Sequence, residues 1–164
     1  MAKTNFEMVQ EFNTVFEVER NEIPTVPSDQ CMDLRLQLVW EEFNEVIDEI
    51  EADRIDLYKL AKELCDLLYV VYGMADTFGL PIDKVFREVH RSNMSKLTID
   101  GKVLRREDGK VLKSDQYSPA DVESVMRKFV AGKLTHQSIV DGLNGKTKKV
   151  NSVTELLEDL NKDD

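Results

Sequence analysis

In the first half of the chain, apolar residues recur every three or four positions, which is the period of an amphipathic α-helix. The first such segment covers about residues 4–20 and ends before two prolines, with apolar residues at Phe6, Val9, Phe12 and Phe16. Ser28 and Asp29 are both suitable N-caps for a second helix, which we expect to run to about Ala52. Its predicted core positions are Leu36, Val39, Phe43, Val46, Ile47 and Ile50.

Two more helices are predicted after short connections. Asp56 can cap the third helix, and Gly79 suits the C′ position that ends it. Pro81 suits the first turn of a fourth helix, which we expect to end near Asn93. The predicted core positions of these two helices are Leu57, Leu60, Leu64, Leu67, Leu68, Val71, Ile82, Val85, Phe86 and Val89. Four helices with short connections predict an all-α fold, an antiparallel helical bundle.

The pattern changes after Lys96. Two Asp-Gly pairs, at positions 100–101 and 108–109, each predict a turn, so we expect a loop or a small hairpin here. Ser118-Pro119 is expected to open a fifth helix.

Glycines then interrupt the chain at Gly132, Gly142 and Gly145. A capping box formed by Ser152 and Glu155 predicts a last helix. We therefore divide the chain into a helical domain at residues 1–118 and a helical C-terminal extension at residues 119–164.

Composition limits the classes of function. The chain has 164 residues, about one domain, and a formal net charge of −10. Non-specific nucleic-acid binding needs clustered cations, so we expect no nucleic-acid partner. No apolar run approaches the ~20 residues of a membrane span, and the N-terminus lacks the apolar stretch of a secretory signal. We therefore expect no membrane partner and a cytoplasmic protein.

Two acidic clusters lie inside the apolar segments: Glu41-Glu42-x-x-Glu45 in the second helix and Glu63-x-x-Asp66 in the third. At about 100° per residue, Glu42 and Glu63 fall at the edges of their apolar stripes, with Glu45 and Asp66 further round on the same flanks. Packing the two helices together would gather at least four carboxylates, which is costly unless a cation neutralises them. Oxygen-only clusters suit Mg²⁺ or Mn²⁺. From spacing alone, ordinary boundary acids of a Glu-rich chain are the alternative.

These acids carry a family resemblance. An EExxE motif, seventeen intervening residues and an ExxD motif resemble the MazG-like, all-α nucleoside triphosphate pyrophosphohydrolases, a group that includes phosphoribosyl-ATP pyrophosphohydrolase. The segments HRSNMSK at 90–96 and DGKVLK at 108–113 are similar to a phosphoribosyl-ATP pyrophosphohydrolase-like subgroup. The resemblance covers about residues 5–118 and leaves residues 119–164 without a match.

The resemblance implies hydrolysis of a (deoxy)nucleoside triphosphate to the monophosphate and pyrophosphate, with Mg²⁺, or Mn²⁺ in its place, as cofactor. It implies that Glu41 is a further ligand or the catalytic base that activates water, and that a homodimer or a dimer of dimers forms. The implied metal ligands are Glu42, Glu45, Glu63 and Asp66. The implied substrate-binding residues are Asn93, Lys96, Lys110 and Lys113, with Tyr117 beside them. Arg35, one and a half turns before Glu41, would contact a phosphate of the substrate or pair with a carboxylate.

Two other functions stay open. Hydrolysis of phosphoribosyl-ATP ranks lower, because the 108–113 segment is similar to the broader subgroup and the chain extends past the usual compact enzyme. A non-catalytic helical binding or assembly module ranks lower still, since it would have no evident need for five intact acids. The base, the sugar and the role of residues 119–164 are left open by the sequence.

Overall fold

The structure, a computed structural model, describes residues 2–143. This part of the chain forms five α-helices and no β-strand, which confirms the predicted all-α class; a single isolated bridge pairs Arg105 with Val111. The helices are α1 (Asn5–Val15), α2 (Asp29–Glu51), α3 (Leu57–Thr77), α4 (Ile82–Met94) and α5 (Val122–Leu143). In this range no helix is both long and apolar enough to cross a membrane. The helix predicted after Ser152 lies outside the described residues.

Side chains cap the first three helices. Thr4 and Glu7 form a capping box on α1, where Thr4 Oγ1 accepts from the Glu7 amide at 3.2 Å and Glu7 Oε2 accepts from the Thr4 amide at 2.7 Å. Ser28 accepts from an amide in the first turn of α2 at 3.3 Å, and Asp56 accepts from two in α3 at 2.9 and 3.4 Å. The caps predicted at Ser28 and Asp56 are therefore confirmed, because a cap depends on residues within one turn.

Helix α2 and helix α3 form an antiparallel hairpin. Glu49 and Lys59, on either side of the turn, form an ion pair at 3.8 Å. Farther from the turn, a Cβ built on Gly73 would lie 3.7 Å from Nη1 of Arg35, so residue numbers rise along α3 as they fall along α2. Helix α3 also packs against α1, so α3 lies between α1 and α2.

The end of α1 differs from the prediction. The helix ends at Val15, about five residues earlier than the periodicity indicates, and Glu17 takes a left-handed conformation with φ 55°. The following segment returns to α3, where the fully buried Asp76 accepts hydrogen bonds from Gln10 and Asn13 at 2.9 Å each and from Arg20. This polar network holds the chain in a turn at the point where the apolar pattern alone favours more helix.

The predicted core positions are only partly buried. Among the described residues, Leu36, Phe43 and Ile50 of α2 are 64, 45 and 53% exposed, and Phe86 of α4 is 67% exposed. The apolar side chains that are buried in this part of the chain are Phe6, Val9, Val46, Ala75 and Val130. The prediction that the whole α2 stripe faces the chain's own core is therefore wrong, because α2 packs mainly against one helix, α3.

After α4 the chain forms the two predicted turns. Gly101 and Gly109 have φ 75° and 85°, and the Leu112 amide donates to the Leu104 carbonyl at 2.9 Å across the second turn, which makes it a small hairpin. Ser95 at the end of α4 accepts from the Ser118 amide at 2.8 Å. This hydrogen bond joins the end of the segment after α4 to the C-terminal end of α4.

The chain divides into two compact units, the first ending at Ala120 and the second beginning at Asp121. In the second unit α5 begins at Val122, with Asp121 Oδ1 accepting from the Ser124 amide at 3.0 Å. The predicted start at Ser118-Pro119 is wrong, since α5 begins at Val122. The predicted interruptions at Gly132 and Gly142 are also wrong, since α5 continues to Leu143, and Gly145 lies outside the described residues. The domain boundaries at 118 and 119 stay a prediction.

Candidate metal centre and nucleotide site

The acidic flanks of α2 and α3 face each other. Glu42, Glu45 and Glu63 each offer a carboxylate oxygen, and these three oxygens all lie within 4.8 Å of one another. Glu45 is exposed and Glu42 half-buried, while Glu63 is only 8% exposed. The hairpin thus brings together three of the four predicted metal ligands from two separate motifs.

The negative charges of the cluster favour binding of a proton or a cation. Burial, followed by the charges of Asp66 and Glu63, raises the pKa of Glu42 above its ordinary value. Hydrogen bonding with Glu63 and the charge of Glu42 raise the pKa of Glu45. Neighbouring carboxylates contribute to both shifts, because several of them share one small volume.

The fourth predicted ligand, Asp66, is held by a lysine that we did not single out from the sequence. Lys62 Nζ donates to Glu63 Oε2 at 2.9 Å and to Asp66 Oδ2 at 2.7 Å. These two carboxylates raise the pKa of Lys62, so its ammonium is a firmly charged partner of the cluster. The signal in the sequence was its spacing, four residues before Asp66, which suits an i,i+4 ion pair.

The chemistry of the donor set fits a hard divalent cation. All three grouped donors are carboxylate oxygens, which are the ligands that Mg²⁺ and Mn²⁺ take in proteins. One face of the group is exposed at Glu45, which leaves room for water and a phosphate oxygen. Exposed acids are common without a metal, but here three carboxylate oxygens converge from two helices.

Glu41 lies beside this cluster and outside the group of three. It is exposed and accepts a hydrogen bond from Gln37 Nε2 at 2.8 Å, one turn earlier in α2. Its charge nevertheless contributes to the raised pKa of Glu42, so it lies near the cluster. Its role as catalytic base or further ligand stays a prediction.

Several predicted substrate-binding residues meet at the C-terminal end of α4. Lys96 Nζ donates to Asn93 Oδ1 at 2.7 Å, and Lys113 Nζ lies 4.2 Å from the ring centre of Tyr117. Hydrogen bonding with Ser92, together with the charges of Lys113 and Lys96, lowers the pKa of Tyr117. Lys96 and Lys113, together with Asn93 and Tyr117, form one cationic patch, which we call the α4 basic patch.

Lys110 is not brought to the α4 basic patch by any contact in the structure. It lies in the second turn, where its amide donates to Asp108 Oδ1 at 3.0 Å, and its side chain is exposed. Its role as a substrate-binding residue stays a prediction.

Arg35 lies in the groove between α2 and α3. It is seven residues before Glu42, which places it about 10 Å along the same flank of α2. Its Nε is buried and has no hydrogen-bond partner among the described residues, and its Nη1 lies close to Gly73. A buried unpaired donor is costly, so this atom suits an acceptor supplied from outside the chain.

Comparison with known proteins agrees with this geometry. The family model for phosphoribosyl-ATP pyrophosphohydrolase matches residues 9–93, which is more than half of the chain and includes both acidic motifs. The chain therefore belongs to this family of the MazG-like, all-α superfamily. Membership supports pyrophosphohydrolase activity at the level of the family.

A relative has also been found in a virus. The protein of Acanthamoeba polyphaga mimivirus described as "Uncharacterized protein L479" is 34% identical over 84 residues, which is 49% of this chain and 33% of that protein. The chain thus spans about a third of the length of this curated relative.

Proposed function

We propose that this protein is a Mg²⁺-dependent hydrolase that converts a (deoxy)nucleoside triphosphate to the monophosphate and pyrophosphate. The observation that carries the proposal is the convergence of Glu42, Glu45 and Glu63 oxygens within 4.8 Å, with Asp66 beside them. A polyanionic triphosphate would be repelled from such a cluster unless cations bridge the two. Family membership supports the same class of reaction.

The four carboxylates of Glu42, Glu45, Glu63 and Asp66 would hold the metal. When bound, Mg²⁺ would supply Lewis acidity and charge neutralisation at the phosphates. Glu41 points from the same helix toward solvent, where it would accept a proton from the attacking water or act as a further ligand. Phosphoryl transfer depends mainly on positioning and charge, which is the contribution that fixed carboxylates make.

The substrate's own charges need cationic partners. In the α4 basic patch, the Lys96 and Lys113 ammonium groups would hold phosphate oxygens, and Asn93 would hydrogen-bond the sugar or base. Arg35 would offer its unpaired Nε to an acceptor of the nucleotide in the α2–α3 groove. Lys110 would join them only by movement of its turn, since the structure shows no contact between them.

The exposed apolar stripe of α2 supports a homodimer, or a dimer of dimers. Its members recur at helical spacing and are each 45 to 64% exposed: Leu36, Trp40, Phe43 and Ile50. Contiguous exposed apolar surface of this kind is typical of a protein–protein interface. A second copy of this chain is the occupant we propose, because α2 packs mainly against α3 and these apolar side chains stay exposed in the described part of the chain.

A second candidate substrate is phosphoribosyl-ATP, since the matching family model carries that name. Its hydrolysis also breaks the bond between the α- and β-phosphates, so the same carboxylates would serve. A non-catalytic binding or assembly module is the third candidate, and the converging carboxylates argue against it.

The test is a product analysis. Purified protein is incubated with canonical and modified (d)NTPs and with phosphoribosyl-ATP, in Mg²⁺ and in EDTA, and products are separated by chromatography. Monophosphate plus pyrophosphate, lost with EDTA, is the expected result. Release of orthophosphate with a nucleoside diphosphate would contradict the proposed reaction, and turnover of phosphoribosyl-ATP alone would select the second candidate. No turnover and no effect of Mg²⁺ on the melting temperature would favour the non-catalytic module.

A further inference from the structure

Lys62 occupies a position that the proposed reaction does not use. Its ammonium sits between Glu63 and Asp66, one from each end of the ExxD motif, at 2.9 and 2.7 Å. Its side chain is 63% exposed, while the Glu63 side chain it contacts is only 11% exposed. Lys62 therefore reaches from solvent into the buried edge of the acidic cluster.

A divalent cation and this ammonium compete for the same oxygens. A metal held by Glu63 and Asp66 needs lone pairs that now accept hydrogen bonds from Lys62. The two cations also repel each other at short range. Because the lysine stem is long, flexible and mostly in water, the ammonium can leave the cluster without disturbing the helix.

We propose that Lys62 is the built-in counter-ion of the metal-free site, and that a divalent cation must displace its ammonium from Glu63 and Asp66 in order to bind. This inference rests on the proposed function, because it takes the carboxylate cluster as the metal site. It follows that Lys62 weakens metal affinity while it stabilises the metal-free protein. The chain thus sets the cation concentration at which its site is filled.

The test measures metal binding without nucleotide. Mn²⁺ is titrated into the metal-free protein by calorimetry, comparing wild type with Lys62→Met, which keeps the length of the side chain and removes the charge. A unit charge about 5 Å from a dication in high dielectric predicts that Lys62→Met binds Mn²⁺ about tenfold more tightly. The melting temperature of metal-free Lys62→Met should be lower than that of wild type.

Three further variants make the comparison specific. Lys59→Met removes the same charge from the same helix at a side chain of similar exposure, 65%, whose partner is Glu49 outside the site. It should bind Mn²⁺ as wild type does, and so should Lys62→Arg, which keeps a cation against both carboxylates. Lys62→Gln serves as a second neutral variant in case the methionine variant does not fold.

The outcomes are distinct. If wild type binds Mn²⁺ and neither neutral Lys62 variant binds more tightly, the counter-ion inference is wrong and the proposed function stands. Weaker Mn²⁺ binding by these variants would also overturn it. If wild type binds no Mn²⁺ at all, the metal site itself is wrong, and both the proposed function and the inference fall. Equal tightening in Lys59→Met would show a general charge effect and overturn the specific role.

Discussion

Arg20, on the segment after α1, donates from Nε and Nη2 to both carboxylate oxygens of Asp76, at 3.1 and 3.2 Å. The Asp76 side chain is 1% exposed and lies near the end of α3. It also accepts from Gln10 and Asn13 of α1, so one carboxylate joins three parts of the chain. A buried charge is tolerated here because every oxygen is paired.

Replacing Asp76 should be strongly destabilising. Asp76→Ala leaves the donors of Gln10, Asn13 and Arg20 without an acceptor, and we expect a loss of about 3–5 kcal/mol in the free energy of unfolding. Denaturant titration by circular dichroism measures it. Asp83→Ala is the control, because among the described residues Asp83 accepts from the exposed Thr4 hydroxyl at 2.8 Å, and its loss should cost less than about 1 kcal/mol. Equal losses in the two variants would contradict the role of Asp76.

Gly79 should not accept a side chain. Its φ is 65°, and a Cβ there would lie 2.1 Å from the carbonyl oxygen of Ile23, so backbone would have to move. We expect Gly79→Ala to cost about 3 kcal/mol or more, the left-handed strain of roughly 1–2 kcal/mol plus the clash.

Gly101→Ala isolates the strain from the clash. Gly101 has a similar φ of 75° and nothing within 4 Å of the added Cβ, so only the strain of about 1–2 kcal/mol should appear. Thermal unfolding of the two variants gives the comparison. If Gly101→Ala is as damaging as Gly79→Ala, the contact with Ile23 is not the cause.

Glu45→Gln should weaken metal binding and turnover without harm to the fold. It removes one carboxylate from the group of three, so we expect at least about a tenfold loss of Mn²⁺ affinity and a larger loss of rate. The metal-free variant should be at least as stable as wild type, because the repulsion from Glu42 disappears and the new amide can donate to Glu63.

Glu49→Gln is the matched control for this prediction. Glu49 lies one turn later on α2 and pairs with Lys59 at 3.8 Å, away from the cluster. Its variant should bind Mn²⁺ and turn over nucleotide as wild type does. A Glu45→Gln protein with full activity would show that the site is assigned to the wrong acids.

The stability of the metal-free protein should depend on pH through the acidic cluster. In the folded state the pKa values of Glu42 and Glu45 are raised above the ordinary 4.5. At a pH between 4.5 and the raised pKa values, the folded state therefore binds more protons than the unfolded state. Their contribution therefore grows as the pH falls from neutral toward 4.5. The lowered pKa values of Asp100 and Asp108 act oppositely, but only below their ordinary 3.8.

Melting temperatures between pH 7 and pH 4.5 without metal test this contribution. We expect the double variant Glu42→Gln and Glu45→Gln to lose the part of the pH dependence that these residues supply. We also expect added Mg²⁺ to stabilise wild type less as the pH falls, because protons and the metal bind the same carboxylates. An unchanged pH profile in the double variant would mean that the cluster does not titrate in this range.

The α2 stripe should determine the oligomeric state. Trp40 is 64% exposed between Leu36 and Phe43, so Trp40→Glu places a charge in the proposed interface. We expect light scattering after size-exclusion chromatography to give a dimer or larger assembly for wild type and a monomer for this variant. Ile99→Glu is the control, since Ile99 is 86% exposed on the first turn, outside the stripe. A monomeric wild type would contradict the proposed homodimer.

The sequence by itself determined the local structure. Caps at Ser28 and Asp56 and the helix end at Gly79 were predicted correctly, because each depends on residues within about one turn and on backbone conformations that few residues adopt. The positions of Glu42, Glu45, Glu63 and Asp66 on the flanks of their helices likewise follow from helical periodicity alone. These predictions needed no knowledge of which helices meet.

Only the tertiary structure decided how these parts combine. The register of the α2–α3 hairpin brought Glu63 to Glu42 and Glu45. The burial of Asp76 ended α1 early, and the single main neighbour of α2 left its apolar stripe exposed. None of these features could be predicted from periodicity, because each depends on the free energy of contacts between residues far apart in the chain.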